Sequence, residues 1–123
     1  MAVINATALT TLTVAPDGSI VSINVVDEEG APASLILPLD ALRSLIMSLP
    51  PLMQQALRLR YRDPSLRLVY PLGTWRLESG TEAGKLLLAL ATVDGFEVTF
   101  SIGEAELKRI SDAAAQVRRP PPN

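Results

Sequence analysis

The chain contains no cysteine and no histidine. The first absence removes disulfides, thiolate nucleophiles and thiolate metal ligands. The second removes the side chain most used for proton transfer near neutral pH, which is also the commonest metal ligand. Together they tell against most enzyme classes, and no motif restores the case: there is no G-x-S-x-G elbow, P-loop, G-x-G-x-x-G or S-x-x-K. Catalysis would fall to Asp, Glu, Lys, Tyr or Ser alone, so the sequence reads as a non-enzyme with no cofactor and no metal. Aromatic residues are also scarce, five in 123. No uncharged run reaches the roughly 20 apolar residues of a membrane span. The longest, Ser44 to Leu57, is interrupted by Pro50, Pro51, Gln54 and Gln55, and the N-terminus lacks the basic start of a secretory signal. The expectation is a soluble, cytoplasmic protein.

What is present is a hydrophobic share of 48% at a mean hydropathy of +0.27, enough for a folded domain without staples. Thr11 to Val14, a Pro16-Asp17-Gly18 turn and Ile20 to Val26 read as a hairpin, because Val21, Ile23 and Val25 alternate with Ser22 and Asn24. The turn Asp27-Glu28-Glu29-Gly30 leads into a third strand, Ala33 to Leu37. Leu42, Leu45, Ile46 and Leu49 then recur at helical spacing, with Asp40 as expected N-cap and Pro50-Pro51 as expected stop. The second half repeats this order: Thr74 to Glu78, Leu86 to Val93, Asp94-Gly95 and Phe96 to Ile102, then a helix carrying Leu107, Ile110, Ala114 and Val117. Asp94-Gly95 predicts a two-residue type I′ turn, and Ser101 with Glu104 predicts a capping box.

Side by side, Leu12 matches Trp75, Ile20–Val26 matches Leu86–Val93, Gly30 matches Gly95, Leu35–Leu37 matches Val98–Phe100, and Leu42/Leu45 matches Leu107/Ile110. The predicted fold is α+β, a tandem duplication of a βββα unit: antiparallel sheet, in one six-stranded piece or two halves, with two helices packed on one face. A single domain is expected, with repeat one over about 8–49, a linker over 50–73, repeat two over about 74–117 and a flexible Pro-rich tail over 118–123. Strand 86–93 is apolar on both sides, which predicts a cover over its second face, either the linker or, preferentially, a second copy of the chain across the helix-free face.

The only segment with the makings of a site is the junction between the repeats. Arg58, Arg60, Arg62, Arg67 and Arg76 stand against the single Asp63, a local +4 on a chain of net −2, and Tyr61, Tyr70 and Trp75 are interleaved. These are the ingredients for binding an anion or single-stranded nucleic acid. A pI near 5.0 and the shortage of aromatics weigh toward a solvated, salt-bridged linker. Whether 57–62 is helix or strand decides the arrangement, since a strand would gather Arg58, Arg60 and Arg62 on one side. The order of elements resembles the tandem strand-rich repeats of the Whirly and PUR-type single-strand binders. That resemblance extends to no residue motif, so no site residue carries over from it. Asp27 to Glu29 reads as a hairpin turn, Glu104 and Glu106 as charges favoured at a helix start, and Met47, Leu52 and Met53 preferentially as core. The functional expectation is a small non-enzymatic protein-interaction module acting as a homodimer. The alternative is single-stranded nucleic-acid binding through the arginines.

Overall fold

The computed structural model describes residues 1–117, and the expected Pro-rich tail lies outside them. The order of elements is β1 (Ala6–Val14), β2 (Ile20–Asp27), β3 (Pro32–Pro38), α1 (Leu39–Arg60), β4 (Leu72–Ser79), β5 (Lys85–Thr92), β6 (Glu97–Gly103) and α2 (Glu104–Gln116). Strands β1-β2-β3 form one antiparallel three-stranded sheet and β4-β5-β6 another, so the duplicated βββα architecture is present as two separate sheets. The chain divides into two compact units, the first running from Met1 to Leu68 and the second starting at Val69.

Side chains directly opposite one another across an antiparallel ladder share a face, so the registers sort the residues. In the first sheet Leu12, Ile23 and Leu35 line up across the three strands, as do Thr11, Asn24 and Ser34 on the reverse. In the second, Leu77, Leu88 and Phe100 line up, as do Trp75, Leu90 and Val98, while Arg76, Ala89 and Thr99 lie on the reverse. Each sheet therefore has one apolar and one largely polar face, as the alternation predicts.

The registers also reset the alignment of the repeats. Leu12 is equivalent to Leu77, Ile23 to Leu88, Leu35 to Phe100 and Gly30 to Gly95, a constant separation of 65 residues. The sequence pairings of Leu12 with Trp75 and of Leu35–Leu37 with Val98–Phe100 were thus two residues out of phase. Side-chain alternation repeats every two residues and cannot by itself detect such a slip. The second hairpin of each repeat confirms the spacing: Asp27 N–H donates to Ala31 O and Gly30 N–H to Asp27 O, just as Thr92 N–H donates to Phe96 O and Gly95 N–H to Thr92 O. Among these turn residues only the glycines, Gly30 (φ 79°) and Gly95 (φ 95°), have positive φ. The expected two-residue type I′ turn at Asp94-Gly95 is therefore replaced by a type I turn closed by a left-handed glycine, the usual longer hairpin connection.

Three helix-end expectations are corrected. The N-caps are Pro38 and Gly103, both extended and without a side-chain cap, because β3 and β6 run directly into the helices. Asp40 instead lies within the first turn of α1, where its charge suits the helix dipole. Ser101 belongs to β6, and Glu104 N–H finds its acceptor in Gly84 O at 2.9 Å, which takes the place of the capping box. Nor does α1 stop at Pro50-Pro51; it is one helix of 22 residues that passes through both. The residues after the prolines, Leu52 to Leu59, are nearly all strong helix formers, and Pro51 is preset for a helical φ. The linker expected from 50 begins only after Arg60.

If the prolines are tolerated defects in a continuous helix, Pro51→Ala restores one i→i−4 hydrogen bond and stabilises the chain by about 1–3 kcal/mol. Urea unfolding tests this, and an unchanged or lowered midpoint would refute it.

Candidate functional site

Among the described residues the arginines do not converge. The segment 57–62 is the end of a helix, not a strand: Arg58 and Arg60 occupy the last turn of α1 and Tyr61 is the C-cap. Arg60 is thereby turned away from Arg58 and Arg62. Asp63 N–H donates to Arg58 O and Arg62 N–H to Leu59 O, and Arg62 has a φ of 51°. This is the Schellman closure of a helix, with arginine at the left-handed position that usually falls to glycine.

Arg58 is also committed locally. Its Nε–H donates to Leu66 O at 2.7 Å, while Gln54 Oε1, one turn earlier, accepts from Leu68 N–H at 3.2 Å. Two side chains of α1 thus fasten the connector along the helix. The Asp63 carboxylate accepts from both the hydroxyl and the N–H of Ser65, and these bonds hold its pKa below the ordinary carboxylate value. Arg60, Tyr61, Arg62 and Arg67 are exposed.

Trp75 and Arg76, neighbours in β4, lie on opposite faces of their sheet, so they cannot stack a base and bind its phosphate from one side. Arg76 reaches over the polar face to Glu97 on β6, Nη2 to Oε1 3.0 Å, with Glu78 3.9 Å away. Between Arg76 and Glu97 in register lie Ala89 and Ala91 of β5. Ala89, 5% exposed, is the one buried residue among those described. The small residues Ala89 and Ala91 of β5 make room for this strap, which accounts for part of that strand's second apolar side; Leu87 lies on the same side. The first sheet bridges the same face with a neutral ladder: Asn24 Nδ2 donates to Thr11 Oγ1 at 2.7 Å, and Ser34 Oγ donates to Asn24 Oδ1.

The uncovered surface is the opposite, apolar face in each unit. In the first sheet Leu12 is 64% exposed and Leu35 51%; in the second Trp75 is 62% exposed and Phe100 50%. Among the described residues α2 makes its main contacts with β6, and α1 with β3 and β2. At one end of the second face Tyr70, Leu72, Leu90, Phe96, Val98 and Phe100 line an apolar groove of about 330 Å³, where the Tyr70 and Phe96 rings meet at 6.3 Å and 48°. The sequence signal is the alternation that sets Phe96, Val98 and Phe100 on one face of the last strand. Met47, Leu52 and Met53, expected in the core, are exposed on α1 as well. With 22 residues α1 outruns the seven-residue strand β3 that it contacts, so part of the helix has no sheet beneath it. The Asp27 carboxylate accepts from Glu29 and Ala31 N–H, in agreement with its reading as a turn residue.

No protein-family model, curated protein or solved structure matches the chain. Among the described residues no helix is long and apolar enough to cross a membrane.

Two outcomes follow from the connector. Arg62→Gly relieves the left-handed arginine and stabilises the first unit by about 1 kcal/mol, read from chemical denaturation; a loss of stability would show that the arginine is held there by contacts of its own. Because the Asp63 pKa is lowered on folding, its contribution is fully present above the unfolded value of about 3.9 and is lost as pH falls through the lower folded value. An NMR titration of Asp63 with a midpoint at or above the ordinary value would contradict the turn described here.

Proposed function

We propose that the chain is a non-catalytic protein-interaction module that works as a homodimer. The observation that carries this reading is that both sheets leave an apolar face open, with Leu12 and Leu35 on one and Trp75 and Phe100 on the other at least half exposed. Monomeric soluble proteins rarely present contiguous apolar patches beyond a few hundred Å², and burial of such surface is the main driving force for association. A second copy supplies matching surface at equal concentration and needs no other gene product. Met47, Leu52 and Met53 add exposed apolar surface on α1, but at 3.6 residues per turn they point to different sides of the helix and make no second patch. The nucleic-acid reading draws no comparable support: Arg58 and Arg76 are engaged within their own units, and the chain is acidic overall.

Sedimentation equilibrium at tens of micromolar should return twice the 13.2 kDa chain mass. A strictly monomeric species overturns the proposal. Fluorescence anisotropy with a single-stranded oligonucleotide at low salt should stay flat; a salt-sensitive rise that disappears on neutralising Arg60, Arg62 and Arg67 would favour the nucleic-acid reading instead.

A further inference from the structure

Resting on the homodimer reading, we infer that the copies join repeat one to repeat two: the apolar face of β1-β2-β3 in one chain packs on the apolar face of β4-β5-β6 in the other, and the junction occurs twice about a two-fold axis.

Side-chain volumes favour this pairing. At positions 65 residues apart the second repeat carries the bulkier side chain again and again: Val21 against Leu86, Val25 against Leu90, Ala33 against Val98, Leu35 against Phe100. Leu12 against Leu77, Ile23 against Leu88 and Leu37 against Ile102 are matched in size, and Val14 against Ser79 at the sheet corner runs the other way, so the surplus volume of repeat two lies around the matched centre. Facing layers fill space best when large side chains meet small ones. Repeat one on repeat one leaves voids and repeat two on repeat two overpacks, each a destabilising arrangement, whereas one on two does neither.

Areas favour two junctions over one. Three strands about 4.8 Å apart and seven residues long at about 3.3 Å per residue give a face of roughly 330 Å². A stable interface takes about 800 Å² from each partner. One junction falls well short; both faces of a chain together supply roughly 660 Å² of flat footprint, and side-chain relief adds to it. A two-fold dimer uses both faces of both copies and closes. A single junction leaves one face of each chain free to recruit another copy, which leads to open-ended assembly.

Ile23 and Leu88 are the places to test this, because the centres of two packed sheets meet whatever the exact crossing angle. Ile23→Lys and Leu88→Glu are made as separate single variants and as one double variant, and their mass is read by sedimentation velocity, with the emission of Trp75, the sole tryptophan, as a probe of burial. Each single variant is expected to be monomeric. An equimolar mixture of the two should dimerise at least about tenfold more tightly than either alone, since one junction pairs Lys with Glu and the other is wild type. The double variant should dimerise on its own through two Lys–Glu junctions, so the test holds even if a single variant fails to fold.

A wild-type dimer whose mixture stays monomeric, with a monomeric double variant, overturns the inference in favour of like-on-like packing and leaves the homodimer standing. A double variant that is a folded monomer with Trp75 shielded overturns it in favour of pairing within one chain. A monomeric wild type removes the homodimer reading itself.

Discussion

Each repeat depends on the two hydrogen-bond ladders that flank its middle strand. In most domains of this size burial of side chains carries the fold and backbone pairing follows from it. Here the ladders of β2 and β5 are continuous through seven registered pairs on their inner sides, while Ala89 alone is buried among the described residues. A three-stranded sheet with one apolar face and no cover is marginal in water. The backbone geometry is therefore specified within the chain, whereas much of the apolar surface that should stabilise it remains exposed. The two faces, their equivalence and the homodimer proposal all descend from that imbalance.

The strands were legible because alternation is a local property: Val21, Ile23 and Val25 against Ser22 and Asn24 place a strand and its faces before any partner is known. The left-handed glycines at 30 and 95 were legible for the same reason. What was not legible depended on neighbours. The helix start at Gly103 is set by a carbonyl from Gly84, nineteen positions upstream, so a capping box at Ser101 could not be excluded from local pattern alone. The passage of α1 through Pro50-Pro51 reflects cooperative helix on both sides of the defect, which outweighs a pair of missing donors.

The arginine cluster shows why composition misleads about sites. Five like charges within nineteen residues looked like one surface, but Arg58 is drawn to a carbonyl of its own connector and Arg76 to a carboxylate across its own sheet. The apolar groove by Tyr70 and Phe96 was hidden by the opposite error, since its residues have the pattern of a core strand and nothing in a sequence says whether the second layer of a core belongs to the same molecule.

The two repeats bridge their polar faces with different chemistry. Thr11, Asn24 and Ser34 join the first sheet through neutral hydrogen bonds, whereas Arg76 and Glu97 join the second through opposite charges at a half-exposed surface. Ionic strength screens the charged strap and leaves the amide–hydroxyl ladder nearly untouched. Duplication has thus produced two halves of one scaffold that answer differently to the solution around them: added salt weakens the bridge across one sheet and leaves that across the other.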